Sequence, residues 1–391
     1  MRVVAMTQRD RVADINAIEL RARRAAEEGR HYGGLLLKEP PAHWRLMMRN
    51  EPHFRSYGTL KYLVEIAREK FETEPTVSLQ ITAAVLHFVG RVRGPSRIHR
   101  IALRGLAWKE HANACHLVGN LPEALAAAKR AVRVYEDAPT LLCDQARARL
   151  VVCKVLRDMG ETARAMTIAH ECAEVFRDFG DLSFMNMARM FEGCVLFSVR
   201  RFADALAVFA EVMAQAESGG DRVTVARCLH CAAESARELG KLDAALDLYP
   251  RALAIFEELD IRNDANSVRW GYALCLAAEG KAGQAIWELF KVRAVFLSLG
   301  MNGRAAGASL DVVRLRFDAG EDIRELCAEL VTTFTEAGMA QNAIEALAYL
   351  REQAKDDALT SKKIASVRTY FGELPKKPNL LFARPPDGEE G

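Results

Sequence analysis

Cys228 and Cys231 have the spacing at which one face of a helix presents two thiolates to the same metal ion. Zinc usually takes four protein ligands, and the sequence has no second Cys-x-x-Cys pair to supply the others. Both residues also fall in an apolar, helix-periodic stretch, where a buried cysteine acts as a small hydrophobic side chain. A looser group consists of His111, Cys115 and His116. We interpret both groups as packing or surface residues; an enzyme with zinc at the first pair is the alternative.

The sequence lacks the common catalytic motifs. It has no Walker A loop, no dinucleotide-binding glycine pattern after a strand, no His-Glu-x-x-His and no Gly-x-Ser-x-Gly. Strand-like alternation is nearly absent, so folds that present such loops are not expected. We therefore predict a protein that is not an enzyme and holds no cofactor or metal.

The composition fits one long folded body in a reducing compartment. Half of the residues are apolar, 27% are charged, and the formal net charge is only +2. The N-terminus has no signal-like apolar core and no apolar run is long enough for a membrane span, so we predict a soluble, cytoplasmic protein without a membrane partner. The nine cysteines are scattered through predicted helices, which does not suggest a disulfide framework. A nucleic-acid partner is not expected, because the net charge is small and no helix-turn-helix is recognisable.

A turn recurs along the chain at a nearly constant interval. The predicted turns fall at Gly119, Gly160, Arg200, Gly240, Gly280 and Gly320. Their successive separations are 41, 40, 40, 40 and 40 residues, which indicates a solenoid with one helix pair per period. Glycine suits the left-handed conformation in which helices often end. Arg200 is the exception, so its turn is predicted to be strained or built differently.

Small and bulky residues keep the same register. Small residues stand five positions after a turn at Ala124, Ala165, Ala205, Ala245 and Ala285, and seven positions before a turn at Ala112, Cys153, Gly193, Ala233 and Ala273. Bulky residues close the second helix of a pair at Tyr135, Phe176, Phe256, Phe296 and Phe334. This arrangement predicts two helices that cross closely in each period.

These positions resemble the tetratricopeptide repeat, a motif of about 34 residues. The resemblance covers roughly residues 101–338 and departs in length, and the longer form is similar to repeats of bacterial signalling and transcription regulators. It implies an all-α fold, a right-handed α-solenoid of antiparallel helix hairpins. The predicted segments are a polar N-terminal helix or arm, a divergent helical cap, about six repeat pairs, C-terminal capping helices and a disordered tail: 1–39, 40–100, 101–338, 339–372 and 373–391. Within the first segment, His31-Tyr32-Gly33-Gly34 is predicted to break the helix.

In that family, ligands lie along a concave face lined by the first helix of each pair. The resemblance places the lining residues 13, 10, 6 and 3 positions before a turn. The resulting candidates for partner binding are Lys109, Asn113, His116, Arg147, Lys154, Arg157, Met187, Met190, Phe197, Arg227, His230, Glu234, Arg237 and Trp270. Lys109 and Asn113 match two positions of the family's carboxylate clamp, while Val151 and Met187 stand where that clamp has asparagine and lysine.

The lining suggests a partner and leaves two functions open. Two helix pairs with basic lining residues flank a helix pair whose lining is rich in methionine and phenylalanine. This arrangement fits a protein or peptide segment with acidic residues around an apolar anchor. The alternative is that the basic side chains are merely solvated and the Met-Phe group is core. The resemblance implies a non-catalytic protein- or peptide-binding scaffold, in a setting of bacterial signalling or transcriptional control. The second hypothesis is a regulator that senses a peptide or small ligand by changing the conformation of the solenoid.

Overall fold

The computed structural model describes residues 8–71 and 73–385. In this part of the chain the regular structure is helical, with no strand. The N-terminal helices are α1 (Gln8–Leu36), α2 (Pro41–Asn50), α3 (Tyr57–Glu69) and α4 (Pro75–Val89). The region of the predicted repeats contains α5 (Arg97–Leu117), α6 (Leu121–Glu136), α7 (Leu142–Asp158), α8 (Thr162–Asp178), α9 (Leu182–Ser198), α10 (Phe202–Ser218), α11 (Arg222–Glu238), α12 (Leu242–Glu258), α13 (Arg262–Ala278), α14 (Ala282–Ser298), α15 (Asn302–Asp318) and α16 (Arg324–Glu336). The chain ends with α17 (Gln341–Lys355) and α18 (Ser361–Glu373).

The chain forms two compact units. Unit 1 comprises Met1–Ala114 with Ala124–Val152, and unit 2 comprises Cys115–Glu123 with Cys153–Gly391. In unit 2 each helix from α8 to α16 packs against the next, and the first helix α11 also contacts the first helices α9 and α13. This stacking of antiparallel helix pairs confirms the predicted all-α solenoid. None of the described helices is both long enough and apolar enough to cross a membrane.

The 40-residue period comes from longer helices. Each helix from α7 to α15 contains 17 residues. Only three residues separate one of these helices from the next, as between Asp158 and Thr162. The extra length relative to the tetratricopeptide motif therefore adds helical turns to the packed faces and leaves the connections short.

The turns have the predicted left-handed residue. Gly240 has φ +74°, with Gly240 N donating to Arg237 O and Lys241 N to Ala236 O at 3.0 and 2.9 Å, the hydrogen-bond pair of a Schellman helix end. Arg200 has φ +61° and makes the same two bonds one period earlier. Its turn is therefore not built differently. Instead, Arg200 has the left-handed backbone conformation, which costs about 1 kcal/mol for a residue other than glycine.

The register of small residues is also borne out. Ala165, Ala205, Ala245 and Ala285 are fully buried. At Gly193 an added Cβ would lie 2.5 Å from Cε1 of Phe209, a distance that excludes any larger residue. The crossing of each helix pair therefore depends on these positions, and the bulky residues that close the second helices fill the space around them.

The predicted break in α1 is wrong. The helix continues to Leu36, and its glycines serve close packing in unit 1. A Cβ at Gly29 would lie 2.2 Å from the carbonyl carbon of Gly58, and one at Gly33 would lie 2.3 Å from a ring carbon of Tyr62. Tight contact between α1 and α3 thus outweighs the low helix propensity of glycine.

The predicted disorder of the tail is wrong for residues 375–385. Asn342 Nδ2 and Tyr370 Oη both donate to Leu380 O, at 2.7 and 2.9 Å. The ring of Phe382 packs on Tyr370 with 5.2 Å between centroids. These contacts hold the segment against α17 and α18 despite its proline and charge content. Residues 386–391 lie outside the described part of the chain.

Candidate functional site

The first helices of unit 2 share a row of partly exposed side chains, most of them polar, which we name the first-helix surface. It lies on α9, α11, α13 and α15, with the C-terminal parts of α5 and α7. Its partly exposed residues include His116, Lys154, Arg157, Asp158, Met187, Cys194, Phe197, Arg227, His230, Cys231, Glu234, Arg237, Asp264, Ser267, Trp270 and Arg304. The charge of Asp158 on α7 acts on Arg304 on α15, so helices distant in sequence face a common space.

At one end of this surface, the carboxylate of Asp158 contacts both the imidazole of His116 and the guanidinium of Arg157. Asp158 Oδ2 accepts a hydrogen bond from His116 Nε2 at 2.6 Å, and Arg157 Nε donates to its Oδ1 at 2.8 Å. Burial and the charge of Lys154 lower the pKa of His116 to about 4, more than the contact with Asp158 raises it. His116 is therefore neutral at pH 7, and the carboxylate compensates Arg157.

The methionine- and phenylalanine-rich part of the surface belongs largely to the core. Met190 is only 4% exposed and packs with Phe209 and Cys228, so its predicted role in partner binding is wrong. Met187 and Phe197 are half-buried against the same cluster. They leave part of their surface open to solvent, and the predicted apolar anchor site is reduced to these two side chains.

The basic residues of α11 are paired with carboxylates. Arg227 Nε lies 3.0 Å from Asp264 Oδ2 on α13. Glu234 accepts from Arg237 Nη2 at 2.9 Å and from the Tyr249 hydroxyl at 2.7 Å. His230 lies 3.9 Å from the same carboxylate. Because each charge has an internal counter-charge, this region has little capacity to attract an acidic chain.

Gly271 makes room for the Glu234 side chain. A Cβ at this position would lie 1.9 Å from Glu234 Oε1 and 2.8 Å from Cε1 of Tyr249. The glycine on α13 thus allows a carboxylate of the neighbouring first helix to reach its two donors.

Trp270 is held by a buried carboxylate. Its Nε1 donates to Asp311 Oδ2 at 2.8 Å, and Arg368 Nη1 lies 2.7 Å from the other oxygen. Burial raises the pKa of Asp311 against the opposing effect of Arg368. The indole is therefore fixed in orientation, with its ring 5.8 Å from that of Phe296.

Arg304 has no carboxylate of the described residues within ion-pair distance. Its Nη1 donates to Asn263 Oδ1 and its Nη2 to Ser267 Oγ, both at 2.8 Å. The guanidinium lies over the ring of Phe296, 4.3 Å from the centroid. Burial lowers its pKa to about 10, and the more distant charges of Asp264 and Asp158 do not restore it. It is still a cation at pH 7.

Three predicted binding residues belong to unit 1. Lys109 Nζ lies 2.8 Å from Glu110 Oε1, and Asn113 Nδ2 donates to the other oxygen of that carboxylate at 3.1 Å. Arg147 Nη1 lies 3.2 Å from Asp144 Oδ1. Lys109 and Asn113, the two residues that match the carboxylate clamp, therefore both contact the internal carboxylate of Glu110.

Sequence reasoning missed the position 16 residues before each turn, which holds Asp264 and Arg304. The 34-residue motif has no corresponding turn of helix, because its first helix is shorter. Position 16 lies three residues before position 13 and therefore on the same helical face. Extending the row by one turn would have found both residues.

The cysteine pair that resembles a metal site is divided between two environments. Cys228 is fully buried, whereas Cys231 is partly exposed and its sulfur lies 4.0 Å from that of Cys194. Within residues 8–71 and 73–385, no three or more His, Cys, Asp or Glu side chains are grouped to hold a metal ion.

Helix stacking and repeat register together define a helical repeat protein of the solenoid class. Residues 188–258 match the family model of the tetratricopeptide repeat. The stacked helix pairs thus have a tetratricopeptide-like repeat fold, as the sequence register predicted. No curated protein matches it in sequence.

Several solved structures are similar to this chain at low sequence identity. The Rap conjugation gene regulator of the plasmid pLS20, in complex with the Phr* peptide, is 11% identical over 83% of this chain and 97% of that chain, with a TM-score of 0.53. A Rap protein complexed with competence and sporulation factor is 12% identical over 81% and 99%, with a TM-score of 0.49. Aspartyl phosphate phosphatase F from Bacillus subtilis is 14% identical over 92% and 98%, with a TM-score of 0.42.

Proposed function

We propose that this chain is a non-catalytic binding protein whose first-helix surface holds an extended peptide, with a carboxylate of that peptide at Arg304. The observation that carries the proposal is the environment of this guanidinium. It is partly exposed on the surface, fixed by two neutral acceptors, and without an ion-pair partner among the described residues.

A carboxylate is the ligand that this environment favours. Arginine has five N–H donors, and the bonds to Asn263 and Ser267 use only two of them. Desolvating a cation without a counter-ion is unfavourable, so an arriving carboxylate recovers electrostatic energy that the free protein lacks. A guanidinium can also bind a carboxylate through two parallel hydrogen bonds.

The internal ion pairs of the other arginines narrow the expected chemistry of the partner. The sequence suggested a segment with several acidic residues, but Arg157, Arg227 and Arg237 already contact internal carboxylates. One carboxylate beside an apolar side chain fits better than an acidic stretch. The fixed indole of Trp270 next to Arg304 offers the apolar contact.

The comparison with known structures supports a peptide as the partner. The pLS20 regulator was solved with a peptide bound, and it has the same fold over most of this chain. A setting in bacterial signalling or transcriptional control is part of the proposal and rests on the length of the repeats.

The test uses two libraries of hexapeptides that differ only at the C-terminus, one with a free acid and one with an amide. We expect free-acid or Asp/Glu-containing peptides to be selected, and Arg304→Gln to weaken their binding roughly 10- to 100-fold, the value of a charge-assisted bond of about 1.5–3 kcal/mol. Selection that persists with the amide assigns the contact to an acidic side chain. Selection that disappears assigns it to the C-terminus.

Arg251→Gln is the matched control, because this arginine is exposed on the second helix α12 and pairs with Asp247. It should bind every selected peptide as the unmodified chain does. If the unmodified chain selects no peptide, the proposed function is wrong. If Arg304→Gln binds the selected peptides unchanged, peptide binding stands but the carboxylate contact is wrong.

A second candidate is a regulator whose conformation changes on binding. The observation that favours it is a backbone hydrogen bond between sequence-distant parts of unit 2, from Leu121 N to Pro375 O at 3.0 Å. A ligand that alters helix stacking would break this bond. Hydrogen exchange at the Leu121 amide, measured with and without a selected peptide, separates the two candidates: faster exchange supports the regulator, and unchanged exchange the plain scaffold.

A further inference from the structure

Two thiols from consecutive helix pairs meet on the first-helix surface. Cys194 on α9 and Cys231 on α11 have their sulfur atoms 4.0 Å apart. Both side chains are partly exposed, whereas six of the other seven cysteines are buried. The pair is therefore close, reachable from solvent and different from the cysteines that only fill the core.

The surroundings give the two thiols different roles. A hydrogen bond from the Cys231 thiol lowers the pKa of Cys194, the positive charge of Arg157 lowers it further, and burial opposes both. The pKa of Cys231 is raised, chiefly by the same hydrogen bond and by burial. The reactive species in thiol chemistry is the thiolate, so Cys194 is the nucleophile and Cys231 supplies the second thiol.

We propose that Cys194 and Cys231 are a site of oxidative modification, at which a hydroperoxide converts the two thiols into a disulfide. The proposal rests on their juxtaposition and is independent of peptide binding. The Cys194 thiolate attacks the terminal oxygen of the hydroperoxide. An S–O bond forms, the O–O bond breaks, and the leaving alkoxide takes a proton to become an alcohol, or water when the oxidant is hydrogen peroxide.

The second step closes the disulfide. The sulfur of Cys231 attacks the sulfur of the Cys194 sulfenic acid, the S–S bond forms, and the hydroxyl group leaves with the proton of Cys231 as water. Two thiols and one hydroperoxide thus give one disulfide, one alcohol and one water. A disulfide requires about 2.0 Å between the sulfurs, so the side chains must approach by roughly 2 Å. Contact between α9 and α11 already holds the two helices together.

The experiment treats the full chain with hydrogen peroxide, blocks the remaining thiols and analyses tryptic peptides without reduction. Cleavage after arginine places Cys194 in residues 190–200, and both Cys228 and Cys231 in residues 228–237. We expect these two peptides to appear linked, two hydrogen atoms lighter than their sum, and to separate with dithiothreitol. Cys228→Ala assigns the bond: the linked peptides persist in this variant if Cys231 is the partner.

Two further variants separate the steps. Cys231→Ser should form no linked peptide but should leave a sulfenic acid at Cys194, which dimedone traps. Cys194→Ser should give neither product. The same treatment in urea is the control for folding, because an unfolded chain should label its cysteines without preference.

Three results would overturn the proposal. They are the absence of linked peptides in the folded chain, a link that is lost in Cys228→Ala, and dimedone labelling in Cys231→Ser that is no stronger at Cys194 than at the buried cysteines.

Discussion

Two arginines of the first-helix surface differ in what compensates their charge. Arg157 lies against Asp158, with Nη2 2.6 Å from Oδ1, while Arg304 donates to the neutral acceptors Asn263 and Ser267. Burial disfavours the charge of both. The carboxylate nevertheless raises the pKa of Arg157, whereas the pKa of Arg304 falls to about 10. Arg157 thus has a counter-ion within the chain, whereas no carboxylate of residues 8–71 and 73–385 forms an ion pair with Arg304.

The difference separates a structural cation from one available to a ligand. A buried ion pair loses much when one partner is removed, because the remaining charge is left uncompensated. Replacing a guanidinium that has no counter-ion should change the free energy of unfolding little. Binding of an anion beside that guanidinium should be favourable, because it supplies the missing counter-charge. Stability and binding measurements should therefore give opposite rankings for the two residues.

The largest effect is expected from Asp158→Asn. The change leaves the Arg157 charge without its carboxylate and weakens the contact with His116, so the free energy of unfolding should fall by about 2–3 kcal/mol. Asp247→Asn is the matched control, because its pair with Arg251 is more than half exposed at both ends and should cost less than about 0.5 kcal/mol. Chemical denaturation of the variants measures both. Equal losses would show that the Asp158 pair is no more structural than a surface pair.

The fold of unit 2 could be predicted because each signal in the sequence has a local physical cause. A left-handed helix end requires glycine or a strained substitute, and the crossing of two helices requires small residues at fixed positions. The break predicted in α1 was wrong because Gly29 and Gly33 pack against another helix, where they contact Gly58 and Tyr62. Packing of that kind depends on residues that local sequence does not indicate.

The candidate site could be predicted only in part. The family resemblance placed the candidate residues on the first helices, but it did not indicate the contacts between successive first helices, because those partners lie about one period apart. Arg227 pairs with Asp264 at a separation of 37 residues, and Arg304 with Asn263 at 41. Comparing each first helix with the next at these offsets would indicate which basic residues are compensated.

The next largest effect is a dependence of the unfolding free energy on pH, which arises from His116 beside Asp158. The pKa of His116 is about 4 in the folded chain, below its ordinary value of 6.5, so only the unfolded chain takes up this proton as the pH falls from 7 to 5. The folded state should therefore lose about 1–2 kcal/mol over this range. His116→Gln should remove that part of the loss, while His170→Gln, an exposed residue of α8, should leave it unchanged. Unfolding free energies at both pH values test this, and an unaltered slope in His116→Gln would contradict it.

The smallest effect on stability should come from Arg304→Met, and the matched change is Arg157→Met. Replacing Arg304 removes hydrogen bonds to Asn263 and Ser267 but also a desolvated charge, so the free energy of unfolding should change by less than about 1 kcal/mol. Arg157→Met leaves Asp158 without its main cation and should cost about 2–3 kcal/mol. Denaturation at pH 7 compares them. A loss at Arg304 as large as that at Arg157 would mean that the guanidinium is compensated within the fold, and a carboxylate ligand would then have no energetic reason to bind there.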